Sequence, residues 1–72
     1  MGQNQNGTPV CDLLATLNPG TPVNEVFVNG ESEPADYFAS VDLNTNLAYF
    51  VQEDDDLLIA DCHKIDMIEI ET

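Results

Sequence analysis

The fold of this chain is decided by residues 22–30, which read PVNEVFVNG. Their β-branched and aromatic side chains favour an extended strand, and the Asn-Gly pair that ends the segment is typical of a two-residue hairpin turn. Four more short apolar runs follow, separated by polar or acidic turns, at residues 37–43, 47–51, 57–60 and 65–70. This pattern predicts about five short strands. Residues 31–36 are predicted to form an acidic loop or a weak edge, because Pro34 cannot donate to a central ladder.

One short helix is predicted before the strands. Thr8 is a good N-cap residue, and Pro9 suits the first helical position. Apolar residues then recur with the period of one helical face, at Val10, Leu13, Leu14 and Leu17. The Asn-Pro-Gly sequence at residues 18–20 should end the helix, since proline cannot continue the hydrogen-bond ladder.

These elements predict a mostly β protein, in which a short N-terminal α-helix precedes a strongly bent five-stranded antiparallel sheet. We expect the sheet to roll into a small barrel, because so many short strands otherwise leave many open edges. The 72 residues are too few for a second core. Residues 1–7 are polar and contain glycine, so they are predicted to be a disordered tail, and residues 8–72 the single domain.

The charge balance excludes several classes of partner. Fourteen Asp and Glu residues stand against one Lys, which gives a net charge of −13. Electrostatic binding to phosphate backbones or anionic membranes needs clustered Lys and Arg, so neither is favoured. No apolar run reaches the length of a transmembrane helix. The polar N-terminus does not resemble a signal peptide, so we expect a cytoplasmic protein without a membrane partner.

The two cysteines, Cys11 and Cys62, are too few for a disulfide scaffold, and in a cytoplasm we expect them to be reduced and part-buried. A zinc site is not expected, because His63 is the one available nitrogen ligand and the spacings of metal knuckles are missing. Neighbours in a strand point to opposite faces, so Cys62 and His63 should not form a nucleophile–base pair. We therefore expect no catalytic residues, no metal, no cofactor and no enzyme activity.

The segment from Asp42 to Glu53 resembles a calcium-binding loop in part. Asp42, Asn44, Asn46 and Glu53 have the spacing of EF-hand ligands. However, Leu47 stands where that loop needs glycine, and the residues after it favour a strand. A polar turn between two strands is the preferred interpretation of this segment.

Three segments together resemble the Sm-like and Hfq-like small-barrel superfamily. Residues 22–30 look like its first strand and turn. Residues 41–46, VDLNTN, are similar to the first Sm motif, in which a hydrophobic residue and Asp precede a turn with an Asn four residues on. Residues 62–65, CHKI, resemble the second Hfq motif, usually Lys-His-Ala-Ile. The resemblance covers roughly residues 9–71.

The resemblance implies a bent sheet whose fourth and fifth strands pair between subunits, in homo-oligomeric rings that are commonly hexamers or heptamers and bind uridine- or adenine-rich RNA. The residues expected at the subunit interface are Ile59, Ile65, Ile68 and Ile70. The positions expected to contact RNA are Asn44, Asn46 and His63. Asn44 stands where the family places an aromatic that stacks on a base, and Cys62 replaces the motif Lys. With the acidic surface, these departures predict weakened or altered RNA binding.

The sequence therefore predicts a ring-forming interaction scaffold that binds a protein partner. Two alternatives stay open. The first is an RNA-binding, Hfq-like chaperone that uses Asn46 and His63. The second is an acidic mimic of nucleic acid that inhibits a nucleic-acid-binding enzyme through its acidic segments, residues 31–36 and 53–56.

Overall fold

The computed structural model describes residues 9–71, which form one helix, six strands and one 3-10 turn. Their bounds, in chain order, are α1 (Pro9–Thr16), β1 (Val23–Val28), β2 (Glu31–Pro34), β3 (Tyr37–Asp42), β4 (Leu47–Val51), β5 (Leu57–Asp61), the 3-10 turn (Cys62–Lys64) and β6 (Ile65–Ile70). The predicted tail, residues 1–7, lies outside the described part, as do Thr8 and Thr72.

The mostly β class is confirmed, but the prediction of one five-stranded barrel sheet is wrong. The strands form two antiparallel sheets of three, with orders β2-β1-β6 and β3-β4-β5, and no ladder closes them into a barrel. The chain changes sheets at Ala35 and Asp36. The N–H of Ala35 donates to the carbonyl of Asn24 in β1, at 3.1 Å. The next N–H, that of Asp36, donates to Val51 of β4 at 2.7 Å, which commits the following strand to the second sheet.

The hairpin between β1 and β2 confirms the turn predicted from sequence. Val28 pairs with Glu31, so Asn29 and Gly30 alone form the loop. Both have positive φ angles, 53° and 84°, as the twist-compatible two-residue turn requires. Residues 31–34 form an edge strand with Pro34 at its end, which agrees with the weak edge expected there.

The core lies between the two sheets and under the helix. Its fully buried side chains come from every layer: Cys11, Leu14, Val26, Phe38, Phe50 and Cys62. Phe38 and Phe50 lie opposite each other across β3 and β4, and their rings meet edge-to-face with centroids 5.7 Å apart. This geometry adds a favourable quadrupole contact to the area that the two rings bury.

The helix begins at Pro9 as predicted, and the predicted face packs on the core except at Leu13, because the helix is turned so that Cys11 is buried instead. Leu14 is 1% exposed and Cys11 is fully buried, whereas Leu13 is 43% exposed. Val10 and Leu17 are partly buried at the margin of the core. The face is turned toward Cys11 because that side chain is bonded to the opposite part of the chain.

The helix orientation can be tested with two leucines of the same helix. Leu14→Ala should lower the free energy of unfolding by about 2–5 kcal/mol, because it leaves a cavity in the core. Leu13→Ala should cost less than about 1 kcal/mol, because much of that side chain is already in solvent. Urea unfolding followed by circular dichroism measures both. Equal losses would contradict this packing and restore the face predicted from periodicity.

Candidate interaction surfaces and the cysteine–histidine cluster

Two of the four outer strand edges in the described part of the chain are guarded. The outer edge of β3 is covered by the preceding segment, since Phe38 N–H donates to Thr21 at 2.9 Å and Gly20 N–H donates to Phe38 at 2.7 Å. The edge strand β2 carries two exposed glutamates and a proline, which discourage pairing with another chain.

The outer edges of β5 and β6 have no such cover. Among the described strands, β5 pairs with β4 alone and β6 with β1 alone. On β5, Leu57 is 55% exposed and Ile59 is 50% exposed, and their spacing of two places them on one face. Leu58 and Ala60 alternate with them and pack toward the core. A free edge with two exposed large apolar residues is suited to adding a strand.

The four isoleucines expected at a subunit interface fall in different environments. Ile59 lies on the open β5 edge, half exposed. Ile65 is 5% exposed and belongs to the core of the protomer, so it offers little side-chain surface to a second copy. Ile68 and Ile70 are half-buried on β6 and pack against the core. Of the set, Ile59 is therefore the residue most available for contact.

The residues expected to contact RNA lie near one end of the second sheet. Asn44 is exposed in the turn after β3, where its N–H donates to a carboxylate oxygen of Asp42 at 2.9 Å. Asn46 has a positive φ of 61°, and its carbonyl accepts from the Cys62 N–H at 2.9 Å. This bond holds the 43–46 turn against the 3-10 turn, to which the exposed His63 belongs.

The two cysteines are not the reduced, separate residues that the sequence predicts. Cys11 and Cys62 form a disulfide that joins α1 to the 3-10 turn, with Cα atoms 5.3 Å apart. The two residues are 51 positions apart and belong to no recognisable spacing motif, so the sequence held no signal for the pairing. The expectation of reduced thiols came from the inferred compartment, which says nothing about which side chains meet in the fold.

The same contact gathers three possible metal ligands. The sulfur atoms of Cys11 and Cys62 and a ring nitrogen of His63 all lie within 4.8 Å of one another. The rule that strand neighbours point apart does not apply to Cys62 and His63, because both belong to the 3-10 turn. The sequence lacks the close ligand spacing of metal knuckles, which is why no metal site is predicted from it. The cluster forms because the fold brings Cys11 to Cys62 and His63.

One groove brings the 53–56 turn together with Asp36, while Glu31 and Glu33 line a different pocket beside β5. Carboxylates from three parts of the chain line this groove: Asp36, Glu53, Asp54, Asp56 and Glu71.

The length of β4 excludes the calcium loop whose ligand spacing is present in the sequence. Glu53 follows β4 at one end and the Asp42–Asn46 turn precedes β4 at the other, about 17 Å away for a five-residue strand.

The structure thus defines a small, mostly β, disulfide-linked domain with two open strand edges. No family model matches this chain, and neither a curated protein nor a solved structure is similar to it. In the part of the chain that the structure describes, no helix is long and apolar enough to cross a membrane.

The disulfide should contribute much of the stability of this domain. In the chain-entropy account, closing a loop of this length stabilises the folded state by about 4 kcal/mol. Reduction with a phosphine should therefore shift the urea midpoint sharply downward. The matched control is the Cys11→Ser, Cys62→Ser double variant, which should unfold like the reduced protein and should not respond to reductant. An unchanged midpoint in reduced wild type would contradict a disulfide in solution.

Proposed function

We propose that this chain is an Sm-like protein that assembles into a ring and serves as an oligomeric scaffold for a protein partner. The observation that carries the proposal is the open β5 edge with Leu57 and Ile59 exposed on it. In the proposed assembly, β5 of one copy pairs with β6 of the next, which is the other uncovered edge.

The connection between β2 and β3 supports the Sm-like part of the proposal. Two residues alone, Ala35 and Asp36, separate these strands. Taken together, β2 and β3 act as one strand that leaves the first sheet and enters the second. Counted in this way, the described chain runs from a helix through five strands, and the last strand pairs with the first.

The use of two different edges favours a closed ring over a simple dimer. A contact between β5 of one copy and β6 of another is heterologous, because it joins different surfaces. A pair joined in this way still has one free β5 edge and one free β6 edge, so addition continues until the rotation closes. Six or seven copies is the ring size that the resemblance implies.

The surface charge supports a protein partner over RNA. Each copy carries −13, and the acidic groove between the sheets adds a dense local field. A basic protein surface complements this field, whereas the phosphates of RNA are repelled by it.

A cytoplasmic location belongs to the same proposal. In a reducing cytoplasm the Cys11–Cys62 pair would be held largely as thiols, while the disulfide would persist in an oxidising compartment. The chemistry of the reduced pair is therefore relevant to this protein as well as that of the disulfide.

Charging the β5 edge should dissolve the ring. We expect the Leu57→Lys, Ile59→Lys double variant to give monomers of 7.9 kDa by native mass spectrometry, because the apolar contact and the approach of a second strand are both lost. Wild type should have six or seven times this mass at moderate salt.

Leu43→Lys is the matched control for this experiment. Leu43 is 53% exposed, like Leu57, but it lies in the turn after β3 and belongs to neither β5 nor β6. The control should keep the mass of wild type. A monomeric wild type would overturn the ring and leave the acidic inhibitor as the preferred function.

RNA binding is the second candidate function, and the hydrogen bond between Asn46 and Cys62 favours it. That bond places Asn46 and His63, the two residues with side chains suited to base contacts, at one end of the sheet. Around a ring axis, such an end would present one pair from each subunit to a single strand of RNA.

The RNA hypothesis predicts measurable binding of a uridine-rich oligonucleotide at low salt with added magnesium. Replacing both residues, in Asn46→Ala, His63→Ala, should weaken it by roughly tenfold or more, the effect of losing two hydrogen bonds. Fluorescence anisotropy measures the affinity, with Asn44→Ala as the control. Absence of binding by wild type under these conditions would exclude this function.

The acidic groove supports the third candidate, an inhibitor that mimics nucleic acid. Its five carboxylates come from the β2–β3 connection, the 53–56 turn and the end of β6, so the fold gathers charge that the sequence spreads out. Such a surface would occupy the basic groove of a nucleic-acid-binding enzyme, and a monomer would suffice for it.

A further inference from the structure

Cys11 and Cys62 are used by none of the functions above, and their neighbour His63 is used only by the RNA-binding candidate. The cluster of these three residues lies where α1 meets the 3-10 turn, and both cysteines are fully buried while His63 is exposed. The two sulfur atoms and the ring nitrogen lie within 4.8 Å of one another. We propose that the reduced form of this cluster binds one thiophilic metal ion, zinc(II), and that the disulfide is its metal-free, oxidised state.

The ligand set fits this class of ion. Thiolate and imidazole are the ligands that zinc prefers, whereas calcium and magnesium prefer oxygen. At bond lengths of about 2.0–2.3 Å in a tetrahedral site, neighbouring ligand atoms are roughly 3.5–3.8 Å apart. The observed separations need small side-chain rotations to reach that arrangement, with the bonded sulfurs moving apart and the imidazole moving inward.

The backbone of the cluster is held by bonds that do not depend on the disulfide. The Cys62 N–H donates to the carbonyl of Asn46 at 2.9 Å. The His63 N–H donates to a carboxylate oxygen of Asp61 at 2.9 Å, which caps the 3-10 turn. On the other side of the cluster, the buried Leu14 packs α1 against the core. In the folded reduced chain, these contacts keep the backbones of the three ligands near one another.

Three protein ligands leave one coordination position, and the exposure of His63 puts that position on the solvent side. A water molecule can occupy it, as in three-ligand zinc sites. The net charge of −13 raises the local concentration of cations around the chain. The many surface carboxylates also bind divalent ions weakly. A test of this site must therefore detect bonds between the metal and sulfur, and not metal binding alone.

The disulfide and the metal exclude each other, because a zinc ligand must be a thiolate. A dithiol reductant transfers two electrons and two protons to the Cys11–Cys62 bond, which gives two thiols while the dithiol becomes a disulfide. Zinc(II) then displaces the two thiol protons. Exchange with a disulfide oxidant removes two electrons from the two thiolates, re-forms the Cys11–Cys62 bond and releases the ion, while the oxidant takes up those electrons and two protons to become two thiols.

Cobalt(II) titration of the full chain tests the proposal, with a phosphine as reductant. Reduced wild type should develop a thiolate-to-cobalt charge-transfer band and the visible bands of tetrahedral cobalt, both saturating at one equivalent. One equivalent of zinc should then abolish them. Oxidised wild type should show no such bands. Absence of the charge-transfer band in the reduced protein would overturn the site.

Two variants assign the ligands. Cys11→Ser, Cys62→Ser retains every carboxylate and should show no charge-transfer band. His63→Ala should still form the disulfide but bind zinc about tenfold more weakly or worse when reduced, and its cobalt spectrum should lose the pattern of wild type. An unchanged affinity and spectrum in His63→Ala would overturn the three-ligand site.

Partial unfolding of the reduced chain does not weaken this test. Metal binding and folding are coupled when the ligands come from distant segments. One equivalent of zinc should restore the circular dichroism spectrum of the reduced protein and raise its melting temperature, while leaving the oxidised protein unchanged. A reduced chain that stays unfolded with one equivalent of zinc would contradict the proposal.

Discussion

The structure depends on the link between Cys11 and Cys62. A helix of eight residues is not stable alone, and this one is held on the domain at its first turn. The other end of the link is the 3-10 turn between β5 and β6, two strands that belong to different sheets. One bond therefore fixes the helix at the point where the two sheets are joined. Small domains bury a low fraction of their surface, so such a link carries unusual weight.

The same architecture explains which strand edges are protected from pairing with another chain and which are available for it. Acidic residues occupy β2 and the 53–56 turn, and the chain before Val23 covers β3. Within residues 9–71, no strand pairs with the outer edges of β5 and β6, which lie on either side of the 3-10 turn. Because like charges oppose self-association, assembly of this acidic chain would have to rest on short-range contacts. Leu57 and Ile59 provide apolar surface of that kind.

The candidate sites differ in how far the sequence could reveal them. Resemblance singled out Asn46 and His63, and the bond between Asn46 and Cys62 holds the two turns that carry them against each other. The cysteine–histidine cluster was missed, because Cys11 lies 51 residues from its partner and spacing rules apply to ligands that are close in sequence. The acidic groove was visible as separate charge runs, but the fold decides that residues 36, 53, 54, 56 and 71 face one groove.

The sequence by itself determined the local elements: the helix start at Pro9, the hairpin turn at Asn29 and Gly30, the edge character of residues 31–34 and the approximate strand positions. These follow from backbone preferences that act within a few residues. Tertiary structure decided the division into two sheets, the face on which the helix packs and the disulfide. Each of these depends on which distant groups come within bonding distance, as when Ala35 and Asp36 donate to opposite sheets. The backbone preferences of a few neighbouring residues do not determine which distant groups come into contact.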